Sequence, residues 1–251
     1  MSNKSLKNKT AIITGATKGI GFAIAKLLGE QGANIVITGR KKEGVLKAES
    51  ELKQLDVNCL GVQAHSGDSQ ALDMLVDKTI GKYKYIDIVV NNAATNPVYG
   101  PVLELEDSVI DKVINVNLKA IIKLSSKALP YLKETKGTII NISSIDGIKP
   151  EVNRGLYGVS KAALNSLTKV LAKELGKFNI RVNTICPGII KTSFSKILWT
   201  DEKIKTKVEK NIPMRRFGKP EEIAELVLFL ASSKSSYSTG SFFVADGGYI
   251  L

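Results

Sequence analysis

Short apolar runs alternate along the chain with longer stretches in which apolar residues recur every three or four positions. The first pattern suits strands buried on both faces, the second amphipathic helices. Thr10–Thr14 (TAIIT) predicts a first strand, followed by a helix over Gly19–Gly32 that glycine closes. Asn34–Thr38 predicts the second strand and Lys42–Asp56 a charged helix. Cys59–Ala64 is the third strand, after which Asp68 is placed to cap a helix. Ile86–Val90 is a fourth strand running into Asn91-Asn92-Ala93, with helices expected near Glu106–Val113 and Asn117–Leu132. Thr138–Ile142, the long helix Gly155–Gly176 and Ile180–Ile185 follow. The stretch from Ile189 to Asn211 has no strand pattern and reads as a partly helical insertion over the sheet edge. Pro220–Ser232 predicts the last helix and Ser241–Ala245 the last strand.

Strands alternating with helices at this pitch predict an α/β protein. The expected architecture is a three-layer, Rossmann-type doubly wound parallel sheet of about seven strands, with ligands at the strands' carboxyl ends. Residues 1–251 hold no repeat, no low-complexity linker and no sign of a second domain.

At 43 % hydrophobic and 24 % charged, the composition is that of an ordinary globular domain. The N-terminus lacks the apolar run of a secretory signal, and no stretch approaches the ~20 apolar residues of a membrane span. Cys59 and Cys186 show no metal-ligand spacing and read as reduced, buried thiols, so the expected location is the cytoplasm. His65 is the only histidine, which leaves no multi-histidine metal site, and no metal is expected. The net charge of +12 invites a nucleic-acid reading. The lysines are scattered, however, and arginine is confined to Arg40, Arg154, Arg181, Arg215 and Arg216. The charge therefore reads as a solvated surface that also attracts polyanionic ligands. Neither nucleic acid nor membrane is expected as a partner.

Directly after the first strand stands Thr14-Gly15-Ala16-Thr17-Lys18-Gly19-Ile20-Gly21. Glycines at such a turn let the backbone approach a pyrophosphate, and the following helix offers free N–H groups and the positive end of its dipole. The second strand ends in Thr38-Gly39-Arg40-Lys41. A carboxylate there would hold the ribose 2′-hydroxyl of NAD, whereas Gly39 with Arg40 and nearby Lys18 suits the 2′-phosphate of NADP(H).

Tyr157 and Lys161 lie four residues apart at the start of the long helix and share a face. Such a pair also arises from surface packing. A phenol titrates near ~10 unperturbed, and a neighbouring ammonium favours the phenolate, so the pair can serve as a general acid/base. Ser144 closes the fifth strand thirteen residues before Tyr157, Asn91-Asn92-Ala93 closes the fourth, and Pro187-Gly188 follows the sixth, all on one expected rim.

On these residues, together with Asn117 and Asp246-Gly247-Gly248, the whole chain resembles a classical short-chain dehydrogenase/reductase. The resemblance implies that Tyr157 is the general acid/base and that Ser144 orients the carbonyl. It implies further that Lys161 binds the nicotinamide ribose and lowers the Tyr157 pKa, and that Asn117 holds a relay water. It places cofactor contacts at Gly15, Thr17, Lys18, Gly19, Ile20, Gly21, Gly39, Arg40, His65, Ser66, Asn92, Ala93, Tyr157, Lys161, Pro187, Gly188, Ile190 and Thr192. His65 departs from the family's usual Asp or Asn at the adenine, and Ala94 replaces a glycine.

Thr95–Pro101, Ile145–Arg154 and Ile189–Lys210 are the expected specificity loops. Two of them are similar to the NADPH-dependent carbonyl and retinal reductases of animal peroxisomes, although this chain ends Tyr249-Ile250-Leu251 instead of in a peroxisomal tripeptide. Phe194, Ile197, Leu198 and Trp199 are expected to form an apolar lid or a subunit contact. The resemblance also implies a homotetramer built on the two long helices and the last strand. The leading expectation is an NADP(H)-dependent reductase of an apolar or bulky ketone or aldehyde. The alternatives are a 3-oxoacyl-[acyl-carrier-protein] reductase and a catalytically silent cofactor-binding or scaffold protein.

Overall fold

Strands that are apolar on both faces need helices on both sides, and the chain folds accordingly. The computed structural model describes residues 4–251, so the first three residues of the N-terminal stretch lie outside it. Its strands are β1 (Thr10–Ile13), β2 (Asn34–Gly39), β3 (Cys59–Gln63), β4 (Ile88–Asn91), β5 (Thr138–Ile142), β6 (Arg181–Pro187) and β7 (Phe242–Ala245). They form one seven-stranded sheet in the order β3-β2-β1-β4-β5-β6-β7, parallel at every pairing.

The helices are α1 (Gly19–Glu30), α2 (Lys42–Gln54), α3 (Ser69–Tyr83), α4 (Asp107–Ile114), α5 (Ala120–Thr135), α6 (Gly155–Leu175), α7 (Ile197–Thr200), α8 (Glu202–Asn211) and α9 (Pro220–Ala231). Alternate strand residues feed two cores. Ile13, Ile35 and Ile37 pack with Leu28 of α1 and Val227 of α9 on one face. Ile12 and Val36 pack with Leu75 of α3 and Leu132 of α5 on the other. As expected, the Asp68 carboxylate caps α3 by accepting from the N–H groups of Gln70 and Ala71.

From β1 the chain builds outward to β2 and β3, then returns to place β4 on the other side of β1. That reversal opens a crevice at the carboxyl ends of β1 and β4, where doubly wound sheets bind their ligands.

One expectation needs correction. The two helices read over Glu106–Val113 and Asn117–Leu132 are one continuous element, in which α4 passes through a π-helical turn, Asn115–Lys119, into α5. Ile114 and Ala120 keep right-handed helical angles on either side, so the extra residue is absorbed as a bulge and not as a break. Such bulges concentrate at functional sites. In the 189–211 segment, α7 and α8 supply the helix, and one parallel bridge, Ile190 to Gly218, anchors its start.

Candidate active site

The glycine loop between β1 and α1 is shaped by close approach. Gly15 adopts φ +64°, and a Cβ there would stand 3.0 Å from the Ala93 Cα; one on Gly21 would come 2.5 Å from Asn92 Nδ2. Asn92 Nδ2 donates to the carbonyls of Thr14 at 2.8 Å and Gly15 at 3.1 Å, while Thr14 Oγ1 accepts from the N–H groups of Asn92 and Ala93. The Asn-Asn-Ala turn is therefore sewn to the glycine loop, and Asn92 acts by holding that loop. Lys18, the residue before α1, makes no side-chain cap bond to the helix's first N–H groups. Free N–H groups and a cradle that tolerates no side chain fit a pyrophosphate.

The loop opens into a cavity of about 510 Å³, and every residue expected to touch the cofactor lines it, from Gly15 to Thr192. Gly39 packs closely on the glycine loop: a Cβ there would meet Thr17 Cγ2 at 2.5 Å and oblige that side chain to turn away. Lys18 and Arg40 stand exposed at the same wall. His65 also reaches the wall, but its Nδ1 accepts from the Gly67 N–H at 3.1 Å, which fixes the ring against its own loop.

Ser144, Tyr157 and Lys161 line the cavity and are all buried. Ser144 Oγ accepts from the Asp146 N–H at 3.1 Å, which leaves its own proton to donate. Lys161 Nζ lies 5.5 Å from the Tyr157 ring centroid and donates to the Ile142 carbonyl at 2.8 Å. Burial pushes the Lys161 ammonium down to about 8, opposed by the thiol of Cys186 and the carboxylate of Asp146. The Tyr157 phenol is raised above its usual range, first by burial and then by Asp146, against Arg154 and Ser144. A lysine-lowered phenol was expected. Here the cost of burying the phenolate outweighs the opposing cation of Arg154.

Asn117 holds a different place from these three residues. It is fully buried and does not line the cavity. Its Oδ1 accepts from the Thr95 N–H at 2.8 Å, and its Nδ2 donates to the Thr95 carbonyl at 2.9 Å and to Ser160 Oγ at 3.0 Å. The apolar lid is also narrower than expected. Phe194 and Leu198 line the cavity, with the Phe194 ring 6.0 Å from that of Tyr157, whereas Ile197 and Trp199 do not. Trp199 Nε1 instead donates to the Thr192 carbonyl at 3.1 Å.

The residue-level reading missed the ion pair of Asp146 and Arg154 at the cavity wall beside Tyr157. An acid two residues after Ser144 was the available signal. Its partner could not be read, because the pair closes across the loop that precedes α6.

Comparison with known proteins accounts for this arrangement. Residues 15–250 match the profile of the family described as Enoyl-(Acyl carrier protein) reductase. Pig Dehydrogenase/reductase SDR family member 4 is 39 % identical over 246 residues, 98 % of this chain and 88 % of that one. The chain belongs to the short-chain dehydrogenase/reductase family. Tropinone reductase-like 3 of Erythroxylum coca is 41 % identical over 99 % of this chain and 95 % of its own. A mutant short-chain dehydrogenase/reductase from Serratia marcescens superposes with a TM-score of 0.92 at 30 % identity, covering 98 % of this chain and all of that one. Membership makes this short-chain dehydrogenase/reductase an oxidoreductase of a family that uses nicotinamide cofactors. Among its described residues no helix is long and apolar enough to cross a membrane.

Proposed function

We propose that this short-chain dehydrogenase/reductase is an NADP(H)-dependent reductase of an apolar or bulky ketone or aldehyde. The observation that carries the reading is the convergence of Ser144, Tyr157 and Lys161 on the cavity that the glycine loop opens. When bound, the nicotinamide supplies the hydride to the carbonyl carbon. The Ser144 hydroxyl, its oxygen already accepting from Asp146, donates to the carbonyl oxygen and fixes its place. Tyr157 gives that oxygen its proton, and a phenol raised by burial stays protonated and ready as an acid at neutral pH. Lys161 holds the nicotinamide ribose and restores the phenol's proton. The Asn117 side chain is committed to Thr95 and Ser160, so its part in the reading is to hold the frame of the site.

Gly39 and the exposed Arg40 and Lys18 favour the 2′-phosphate, since position 39 carries no carboxylate to repel it. Phe194 and Leu198 favour an apolar substrate body. A homotetramer in the cytoplasm completes the reading, supported by exposed Ile122 on α5, Val159 and Val170 on α6, and Val244 on β7. A second reading, reduction of a 3-oxoacyl thioester on an acidic carrier protein, draws on the net charge of +12. A screen of NADPH against NADH oxidation over a carbonyl panel that includes an acetoacetyl thioester and aromatic diketones tests both. Failure to oxidise either cofactor with any member would overturn the enzyme reading.

A further inference from the structure

We infer that Arg154, held in place by Asp146, is a specificity-determining residue that binds a second, neutral acceptor oxygen of the substrate close to the carbonyl that is reduced. The inference rests on the reductase reading above and adds the polar half of the substrate to it.

Arg154 Nη2 donates to Asp146 Oδ2, with the Asp146 side chain 1 % exposed and that of Arg154 26 %. Burying such a pair costs so much desolvation that a matched apolar pair would stabilise the fold as well or better. Its place in the wall beside Tyr157 supplies another reason for it. A guanidinium carries five N–H donors. Asp146 is the one acceptor found for the Arg154 side chain among the described residues, and Nε is enclosed without a partner. The protein has not saturated this group, and its exposed edge belongs to the cavity lining.

Position and charge narrow the ligand. Asp146 follows Ser144 by two residues and donates its N–H to Ser144 Oγ at 3.1 Å. The hydroxyl that orients the reducible carbonyl and the carboxylate that holds Arg154 therefore sit on one short turn, which places the second oxygen near the first. Asp146 already neutralises Arg154, and Glu151 lines the same cavity. A carboxylate arriving at Arg154 meets two carboxylates already beside it, Asp146 and Glu151, whereas a ketone or ester oxygen meets open donors. Phe194 and Leu198 take the apolar remainder.

Three phenyl ketones test this: ethyl benzoylformate with a neutral second acceptor, benzoylformate with an anionic one, and propiophenone with none. Reduction is followed by kcat/KM, and binding to the cofactor-free full chain by quenching of Trp199, the one tryptophan. A site built to bond a polar group discriminates strongly against analogues that lack it, so the ester should exceed both others by about tenfold or more in each readout. Arg154→Gln should remove most of that preference through KM while changing propiophenone little. The Asp146→Asn/Arg154→Gln double variant leaves no buried unpaired charge and decides the matter where the single variant fails to fold. Ester preference retained in the double variant, or benzoylformate as the best ligand, overturns the inference. If the ketones are reduced but selectivity ignores Arg154, the inference fails and the reductase reading stands. If nothing is reduced yet Trp199 quenching follows Arg154, the reductase reading fails and the polar anchor stands.

Discussion

Asn117 Nδ2 donates to Ser160 Oγ at 3.0 Å, and Ser160 Oγ donates in turn to the Tyr157 carbonyl at 2.7 Å. The π turn between α4 and α5 is thus bonded to the start of α6, through Ser160 to Tyr157. The same asparagine clamps both backbone groups of Thr95 after β4. Its side chain is a strut between three elements that frame the cavity.

Asn117→Ala should therefore destabilise the fold as well as slow turnover. It strands the half-buried N–H and carbonyl of Thr95, at about 1–3 kcal/mol for each group left unpaired. Urea unfolding should show a net loss of about 2–4 kcal/mol on the same basis. A variant with unchanged unfolding but abolished turnover would point instead to direct action of the side chain on the reaction.

Tyr157→Phe removes only the phenolic oxygen from a buried ring. Loss of the general acid should lower kcat by roughly 10²–10⁴-fold or more. Cofactor affinity, measured by fluorescence titration, should stay within about twofold, since the phosphate loop is untouched. Appreciable residual turnover would contradict the assigned role.

Lys161 carries the pH dependence. Burial depresses its ammonium to about 8, so the free enzyme loses this cation as pH rises past that value. The kcat/KM for reduction should be level through neutrality and fall above pH about 8, because the raised Tyr157 phenol remains protonated there. Stability moves oppositely. The unfolded lysine holds its proton to the ordinary 10.5, so between about 8 and 10.5 the unfolded state binds more protons and this group's contribution to stability rises with pH. A rate plateau extending to pH about 10 would refute the assignment.

Arg40→Asp should raise KM for NADPH much more than for NADH, by about tenfold or more, since it replaces a charge-assisted bond with repulsion. Gly39→Asp should impair both cofactors, because its Cβ, 2.5 Å from Thr17 Cγ2, would oblige that side chain of the glycine loop to turn away. Equal effects of Arg40→Asp on the two cofactors would remove the case for NADP(H).

Sedimentation should give a tetramer. Val159→Glu or Val170→Glu on the exposed face of α6 should dissociate it into smaller species, because a charge in an apolar interface is left unpaired. Wild-type protein sedimenting as a monomer would exclude the assembly.

The amino-acid sequence by itself determined the strand–helix order, the glycine loop, the face shared by Tyr157 and Lys161, and the rim on which Ser144 and Pro187-Gly188 fall. These features depend on local periodicity, on turns that tolerate only small residues, and on the rule that doubly wound sheets bind ligands at strand ends. Tertiary structure alone decided the rest. The continuity of α4 with α5 turns on one residue absorbed as a bulge, with no glycine or proline at the junction to mark it. The burial that raises Tyr157 and depresses Lys161 depends on what packs around them, which spacing does not record. The commitment of Asn117 to Thr95 and Ser160, and the closure of Arg154 on Asp146, join residues whose partners are set by the path of the chain through space. Hydrophobic pattern encodes which face of an element is buried; which polar groups then meet is set by how the elements pack.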